Sequence, residues 1–209
     1  MDARDSVADG AAISGAIVAG GQSARFGGQP KGLFQVAGVR IIDRVAAALR
    51  QVAKNVALIA NDPNADRWLS GVPVHRDERQ ERGSLVGLET ALRHAGGPVL
   101  VVAWDMPFVT PELLTLIVSS RTVRASAVVP EGPLGPEPMC ALYTSRCLTP
   151  IERALDRGDL RLGLLIAQLP EIVRIPLDRV AAAGDPARLF FNVNDQADLD
   201  LAQQLALPH

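Results

Sequence analysis

Aliphatic runs alternate with longer amphipathic segments along most of the chain. Residues 16–18, 55–60 and 98–103 are apolar at nearly every position, as in strands that are covered on both faces. Residues 39–52 and 85–95 instead place apolar side chains three and four positions apart, which is the spacing of an amphipathic helix. Repeated strand and helix units of this kind predict an α/β fold around a mostly parallel central sheet.

Elements with less regular patterns complete the predicted order. Thr110 followed by Pro111 predicts a helix start, because threonine caps helices and proline fits their first position. We also predict strands around residues 72–75, 126–130, 138–143, 172–175 and 189–193, a loop at 132–136, and helices at 148–157, 161–169 and 197–207. The loops after the first four strands should then share one edge of the sheet, where open α/β sheets bind ligands.

Composition and charge narrow the class of protein. The chain has 209 residues, and 21 lysines and arginines against 23 aspartates and glutamates give a formal charge of −2. This balance provides no large positive field, so we predict no contact with nucleic acid and none with membranes. With 48% hydrophobic residues the chain can bury one sizeable core. We predict a single domain over residues 13–209, preceded by a flexible extension at residues 1–12.

The cysteines and the lengths of the apolar runs favour a cytoplasmic protein. Cys140 and Cys147 have neither the number nor the spacing of a disulfide framework or a zinc site, and we predict that both are buried. No apolar run approaches the roughly 18 residues of a membrane span. Residues 1–10 lack the basic start and apolar stretch of a secretory signal. We therefore expect a reducing, cytoplasmic location.

The loop after the first strand carries the first chemical signal. Residues 19–31 contain two double glycines together with Arg25 and Lys31. Glycines let backbone N–H groups approach phosphate oxygens closely, and the two cations add the charge that a triphosphate requires. The spacing fits neither a Walker A loop nor the Gly-x-Gly-x-x-Gly of dinucleotide folds. The loop predicts nucleotide binding by another motif, with a merely solvated glycine loop as the alternative.

Carboxylates follow two further strands. Asp105 comes directly after the most apolar strand, where a carboxylate can hold Mg²⁺ while nucleotide phosphates supply the other ligands. A turn or helix-cap aspartate is the structural alternative at this position. Asp77 follows the short third strand, and it is as often a solvated turn residue as a ligand contact when it is considered alone. Together with the glycine loop, Asp105 predicts a metal-dependent nucleotide site.

Two asparagines and the absence of a nucleophile complete the picture. If residues 190–195 alternate as in a strand, Asn192 and Asn194 would face one side and could hold a polar substrate group, although Asn194 could instead cap the last helix. None of the three histidines lies beside a serine or cysteine in a nucleophile arrangement. A phosphate nucleophile is already ionised and needs no general base, so the candidates fit phosphoryl-type transfer.

Four motifs, taken in order, carry a wider resemblance. They are Val18-Ala19-Gly20-Gly21 with Arg25-Phe26-Gly27-Gly28 and Lys31, then Gly83-Ser84-Leu85-Val86-Gly87, then Asp105-Met106-Pro107, and then Asn192-Val193-Asn194. From about residue 15 to residue 205 the chain resembles the molybdenum cofactor guanylyltransferase family. The resemblance implies a Rossmann-like, three-layer nucleotidyltransferase fold. It also implies transfer of GMP from Mg-GTP to the terminal phosphate of molybdopterin, with release of pyrophosphate.

The resemblance assigns expected roles to individual residues. Arg25, Lys31 and Asp105 are the expected catalytic residues, the two cations holding the triphosphate and Asp105 binding Mg²⁺. Arg161, Asn192 and Asn194 are expected to face molybdopterin. The full set of expected substrate contacts is Val18, Ala19, Gly20, Gly21, Lys31, Asn61, Asp77, Leu85, Gly87, Arg161, Asn192 and Asn194. The expected partners are GTP and molybdopterin, with transient contact to molybdoenzymes or cofactor chaperones.

Departures from the family pattern concern the acceptor substrate more than the donor. Pro30 stands where an aspartate often precedes the lysine, and Leu160 stands where the family usually has the first of two arginines. Ile59 replaces a frequent asparagine, which leaves Asn61 as its substitute. The first two glycine-containing motifs favour guanine over cytosine. A cytidylyltransferase acting on the same cofactor or a sugar-phosphate nucleotidyltransferase is the alternative, and a non-catalytic nucleotide-binding adaptor is the alternative from another class.

Overall fold

One eight-stranded sheet organises the computed structural model, which describes residues 12–20, 29–81 and 83–207. The first half of the chain supplies its parallel part. The elements are β1 (Ser14–Ala19), β2 (Gln35–Val36), β3 (Val39–Arg40), α1 (Ile41–Arg50), β4 (Asn55–Ala60), β5 (Val74–His75), α2 (Ser84–Ala95), β6 (Val99–Ala103) and α3 (Pro111–Ser119). β2 and β3 pair with each other outside the main sheet. Each main strand is followed by a crossover segment, as in the predicted α/β pattern.

The second half of the chain is less regular. Its elements are β7 (Ala127–Gly132), β8 (Gly135–Pro136), β9 (Cys140–Tyr143), α4 (Leu148–Asp156), α5 (Leu162–Gln168), β10 (Ile172–Ile175), α6 (Leu177–Ala181), α7 (Pro186–Leu189) and α8 (Gln196–Leu205). Short 3-10 turns lie at Lys31–Leu33, Ala65–Arg67 and Ser145–Cys147. The chain thus changes after β6 from strand and helix repeats to hairpins and short helices.

The strand order across the sheet is β5-β4-β1-β6-β9-β7-β10, with β8 paired to β7. β5, β4, β1 and β6 are parallel to their neighbours, and β10 is parallel to β7. β9 is antiparallel to both β6 and β7. The sheet is therefore mixed but mostly parallel, as predicted. The carboxyl ends of β1, β4, β5 and β6 meet at one edge, together with the amino end of β9.

Helices cover both faces of the sheet, which makes the three predicted layers. α1 and α3 pack on one face through buried aliphatic side chains such as Leu49 and Leu113, and α2, α4 and α5 pack on the other through side chains such as Leu88 and Ile151. The alternation within β1 divides its residues between the two cores, since successive side chains of a strand point to opposite faces. A third cluster joins α8 to β2.

Several predicted elements are confirmed by the structure. The strands at Asn55–Ala60 and Ile172–Ile175 have the predicted bounds. The Thr110 hydroxyl accepts a hydrogen bond from the Leu113 amide at 3.3 Å, as an N-cap should. Cys140 and Cys147 are buried and free. Among the described residues no helix is long and apolar enough to cross a membrane. The predicted extension at residues 1–12 lies outside the described residues except for residue 12.

Three predicted elements are wrong. The first helix begins at Ile41 rather than residue 39, because Ala37 (φ 49°) and Gly38 (φ 77°) turn the chain and pair Val39–Arg40 with Gln35–Val36. Residues 132–136 form the tip of the β7–β8 hairpin instead of an irregular loop.

The predicted strand at residues 189–193 is the largest error. Asp185 accepts a hydrogen bond from the Ala187 amide at 3.0 Å and Pro186 occupies the first helical position, so this segment begins as the short helix α7. The chain after α7 is irregular up to α8. Its apolar side chains are buried in two different core clusters, Phe190 in the one beneath α1 and α3 and Val193 in the one beside α8. Apolar residues alternate with polar ones in this irregular segment, and this alternation led to the prediction of a strand.

Candidate functional site

A cavity of about 300 Å³ lies at the carboxyl edge of the sheet, between the ends of β1 and β6 and the first turn of α2. Its lining residues are Val18, Gly20, Gly83, Ser84, Ala103, Trp104, Asp105, Met139 and Asn192. This is the edge where open α/β sheets bind ligands, and the volume reaches the lower end of the usual range for small-molecule sites. The first, second, third and fourth sequence motifs all contribute to this lining or lie directly beside it.

Three distant parts of the chain meet beside this cavity through Lys31. Its ammonium group donates to the Asp105 carboxylate at 2.8 Å and to the Asn194 side-chain oxygen at 3.2 Å. The Lys31 and Asp105 side chains are only 13% and 12% exposed. Solvent screening of the ion pair is therefore limited, and the pair holds a positive and a negative group ready at the mouth of the cavity.

Trp104 fixes the turn that carries Lys31. Gly32 lies so close to the indole that a Cβ atom at this position would come within 2.6 Å of a ring carbon. The Trp104 amide donates to the Val18 carbonyl at 3.2 Å, and its ring stacks on Trp68 with centroids 5.2 Å apart. The Lys31 turn thus rests on a buried aromatic pair. Glycine at position 32 is required by this contact rather than by backbone conformation.

The last helix positions the asparagines. The Val193 amide donates to the Asp105 carbonyl at 2.9 Å, which ties this segment to the end of β6. α8 is capped by Asp195 in a capping box, so Asn194 is not the cap and its side chain is available to Lys31. Asn192 lines the cavity, and its side-chain nitrogen Nδ2 donates to the Phe190 carbonyl at 2.8 Å. The structure brings both predicted asparagines to the predicted edge without a strand.

A second polar cluster lies where β4 and β5 end. Asn61 donates to the Asp77 carboxylate at 2.6 Å and accepts from the Asp77 amide at 2.9 Å. The Thr90 hydroxyl of α2 donates to the other Asp77 oxygen at 2.7 Å. The two predicted residues Asn61 and Asp77 are thus brought together, and Thr90 joins them. Thr90 was not predicted, since nothing in its local sequence separates it from other helix-face threonines.

Two residues predicted to contact substrate lie in the core instead. The Leu85 side chain is fully buried among the apolar residues beneath α2. A Cβ atom at Gly87 would lie 2.7 Å from the Val18 side chain, so this glycine allows α2 to pack directly on β1. Leu85 therefore has no side-chain atom at the cavity, and Gly87 serves the packing of α2 on β1. Their neighbours Gly83 and Ser84, in the same motif, are the residues that line the cavity.

Arg161 is not among the residues that line the cavity. Its guanidinium donates to both Asp159 carboxylate oxygens, at 2.9 and 3.0 Å, and both residues are solvent-accessible. These hydrogen bonds lower the pKa of Asp159 to about 2 and raise that of Arg161. Two further predicted residues, Gly21 and Arg25, lie outside the described part of the chain. β1 ends at Ala19, and the next residue, Gly20, lines the cavity.

The oxygen ligands near the cavity are few. Within residues 12–20, 29–81 and 83–207, no group of three or more His, Cys, Asp or Glu side chains could enclose a metal ion. Asp105 is the carboxylate that lines the cavity. A single carboxylate suits Mg²⁺, which commonly takes one or two protein carboxylates and completes its shell with phosphate oxygens and water.

One family model and several known proteins are similar to this chain. Residues 15–172 match the model of the MobA-like NTP transferase domain. A molybdenum cofactor guanylyltransferase from Desulfosudis oleivorans is 34% identical over 194 residues, which cover 92% of this chain and 95% of that protein. A probable molybdenum cofactor guanylyltransferase from Deinococcus radiodurans is 35% identical over 190 residues, covering 90% and 92%. The crystal structure of molybdopterin-guanine dinucleotide biosynthesis protein A from Archaeoglobus fulgidus superposes with a TM-score of 0.78 at 26% identity, covering 92% and 97%.

Proposed function

The chain belongs to the MobA-like NTP transferase family, and from this premise we propose that it transfers GMP from Mg-GTP to the terminal phosphate of molybdopterin, releasing pyrophosphate. The observation that carries the proposal is the contact of Lys31 with Asp105 and Asn194 beside the cavity. This contact joins a phosphate-binding cation, a metal-binding carboxylate and a neutral amide at one point. Phosphoryl-type transfer relies on cations and a bound metal ion that counter phosphate charge, and an amide can orient a substrate beside them.

The donor nucleotide lies along the ends of β1, β4 and β6 in this proposal. The backbone of Val18, Ala19 and Gly20 contacts the base and ribose, and Asn61 and Asp77 contribute further nucleotide contacts. Lys31 exchanges its carboxylate partner for phosphate oxygens of the triphosphate, which a flexible ammonium group can do with little rearrangement. Gly21 and Arg25 complete the phosphate site. The hydrogen bond between Asn61 and Asp77 supports their proposed role as nucleotide contacts, because it holds both side chains in place before the nucleotide binds.

Asp105 would hold Mg²⁺ through its carboxylate, and the ion would neutralise charge on the triphosphate and on the departing pyrophosphate. The residues present fit this role, since Asp105 lines the cavity and is rigidly placed after a fully buried strand. The Val193 amide bonded to the Asp105 carbonyl holds the backbone of this residue in place. Asp105 and Lys31 then act on the same phosphates from adjacent positions.

The transfer itself needs no protein base. An oxygen of the molybdopterin phosphate attacks the α-phosphorus of GTP, a new P–O bond forms, and the bond from that phosphorus to pyrophosphate breaks. The attacking phosphate is already ionised near neutral pH, so no proton has to be removed. The work of the protein is to align the two phosphates and to counter their mutual repulsion, and Lys31 serves this second need.

The acceptor lies on the opposite side of the cavity from the donor. Asn192 and Asn194 face it from the segment before α8, and Arg161 is a more distant candidate because Asp159 now engages its guanidinium. We include in the proposal a cytoplasmic location, a single domain over residues 13–209, and transient contact with molybdoenzymes or cofactor chaperones that receive the product.

Nucleotide selectivity is the first test. Calorimetric titration of the protein with GTP, CTP, ATP and UTP in the presence of Mg²⁺ should give GTP-selective binding, and added molybdopterin should then release pyrophosphate in a Mg²⁺-dependent reaction. A preference for CTP would move the chain to the cytidylyl-transferring alternative. Absence of nucleotide binding, or binding without pyrophosphate release, would contradict the proposal and favour a non-catalytic adaptor.

A further inference from the structure

Glu137 is a carboxylate that the proposed reaction has not used. It precedes β9, the antiparallel strand whose amino end lies at the same edge as Asp105. Two residues further on, Met139 lines the cavity, and its carbonyl accepts a hydrogen bond from the Ala103 amide at 2.8 Å. Glu137 therefore lies at the same edge of the sheet as Asp105, on the proposed acceptor side of the candidate site.

The Glu137 carboxylate has no hydrogen-bond or ion-pair partner among the described residues, although it is half-buried. This burial raises its pKa to about 7. Glu131, on the same hairpin, behaves in the ordinary way and accepts from Arg174 at 2.8 Å. A half-buried carboxylate without a partner costs stability, and this one is able to accept hydrogen bonds from a bound molecule.

The backbone around Glu137 is shaped to hold its side chain. The Glu137 amide donates to the Pro130 carbonyl at 2.9 Å, which clamps the residue to β7. Its Cγ atom and carboxyl group lie directly over Gly132, where any Cβ atom would collide with them. The end of β7 thus gives the Glu137 side chain a fitted surface and keeps it from moving freely into solvent.

The position of this carboxylate suits the far end of the acceptor. β7 is separated from β6 by β9, so the Gly132 surface lies two strand spacings, roughly 10 Å, from the strand that ends at Asp105. A molecule whose phosphate lies beside Asp105 can therefore place its ring system over β9 and β7. The donor-side cluster of Asn61 and Asp77 lies in the other direction, at β4 and β5.

The chemistry of a pterin matches a carboxylate at this distance. A pterin ring carries an amino group next to a ring N–H, and the two form a fork of parallel donors. A carboxylate accepts such a fork through both oxygens, as it does with an arginine guanidinium. We propose that Glu137 binds the pterin ring of the acceptor through these two N–H groups. The inference rests on the proposed function, whose acceptor is molybdopterin, and it names the residue that recognises its ring.

Paired glutamine variants test the assignment. Glu137→Gln keeps the size of the side chain but loses the charge and one acceptor, whereas Glu131→Gln makes the same change on the same hairpin. We expect Glu137→Gln to raise the KM for molybdopterin by about tenfold to a hundredfold, as for a lost charge-assisted hydrogen bond pair. It should raise the inhibition constant of 6-hydroxymethylpterin, a probe without phosphate, to a similar extent. GTP affinity by calorimetry should stay unchanged, and Glu131→Gln should match the wild type in every measurement.

Gly132→Ala provides a second variant that displaces the carboxylate without altering it. Gly132→Ala should raise the inhibition constant of 6-hydroxymethylpterin to about the same extent as Glu137→Gln does. A molybdopterin KM within about twofold of the wild type in Glu137→Gln would overturn the inference. A loss of GTP affinity in that variant would also overturn it, since the carboxylate would then contact guanine. If the wild type binds GTP but releases no pyrophosphate with molybdopterin, the proposed function fails, and the pterin assignment fails with it.

Discussion

The two halves of the candidate site differ in how their polar groups are satisfied. On the donor side, Lys31 is paired with Asp105 and Asn194, and Asp77 is held by Asn61 and Thr90. On the proposed acceptor side, Asn192 donates to the Phe190 carbonyl, whereas the Glu137 carboxylate has no partner among the described residues. Side chains that are already held in place lose little conformational freedom when a ligand binds, so the proposed donor side is preorganised, although Lys31 has to exchange its carboxylate partner for phosphate oxygens. On the proposed acceptor side, the ligand would supply the donors to Glu137.

Topology explains this difference. The donor side is formed by consecutive parallel strands, whose loops all reach the same edge and lie next to each other. The acceptor side combines the amino end of an antiparallel strand with a hairpin and with the irregular segment before α8. These segments differ in type and direction, and the Glu137 carboxylate between them has no partner among the described residues that a ligand would have to displace.

Removing the Asp105 carboxylate should have the largest effect, since it eliminates the proposed metal ligand and the partner of Lys31 together. We expect Asp105→Ala to lower kcat/KM by about a thousandfold, because a bound metal ion contributes several kcal/mol to phosphoryl-type transfer. Thermal unfolding should show a folded protein, since Asp105 follows the strand rather than lying within the apolar core. Wild-type turnover after removal of Mg²⁺ with EDTA should fall equally. Unchanged turnover in the variant would refute the metal role.

Lys31→Ala should have the next largest effect and should separate phosphate binding from base binding. Loss of a charge-assisted hydrogen bond predicts a tenfold to hundredfold weaker affinity for GTP, at about 1.5–3 kcal/mol. Guanosine, which has no phosphate, should bind both proteins equally in the same calorimetric experiment. Equal weakening of both ligands would mean that Lys31 does not contact the triphosphate.

Gly32→Ala tests whether Trp104 preorganises the donor side. The added methyl group collides with the indole ring, so the Lys31 turn or the Trp104 ring has to shift. We expect a loss in kcat/KM of roughly tenfold, typical of a small displacement of a binding group. The double variant with Trp104→Leu, in which the ring is gone, should recover part of this loss. Additive losses in kcat/KM would show that the two residues do not act through their contact.

The smallest expected effect is that of Glu137→Gln on the free energy of unfolding. In the folded protein the pKa of Glu137 is raised from 4.5 to about 7, so folding favours its protonated form. The free energy of unfolding should therefore decrease as pH rises from about 4.5 through 7, and level off above that. Glu137→Gln removes this penalty. Above pH 7 it should be more stable than the wild type by on the order of 1 kcal/mol, after allowance for solvent screening, or about 2–4 °C in Tm.

Differential scanning calorimetry at about pH 5 and about pH 8 measures this difference, with Glu131→Gln as the control. A stabilising variant that also loses acceptor binding would establish that the carboxylate is retained for the ligand and at a cost to the fold. A variant that is less stable than the wild type at both pH values would show that Glu137 has a structural partner. It would also remove the contrast between the two halves of the site.

Prediction from the sequence was accurate where one local pattern decides the outcome. Apolar runs located the strands, and a threonine followed by proline located the start of α3. Asp105 could be singled out because it ends the most apolar strand. Prediction was wrong at residues 189–193, where alternating apolar residues lie in an irregular segment and pack into separate clusters. The motif that contains Leu85 lies beside the cavity while the Leu85 side chain lies in the core, a distinction that the motif alone does not make.

The sequence alone determined the layered α/β class and the edge at which the site lies. Both follow from local properties: hydrophobic periodicity specifies each element, and the order of parallel strands brings their loops together. The individual contacts were decided by tertiary structure. Lys31 meets Asp105 across 74 positions and Asn194 across 163, and an antiparallel strand carries Glu137 to the acceptor side. Such contacts depend on packing between distant segments, and no short stretch of sequence contains that information.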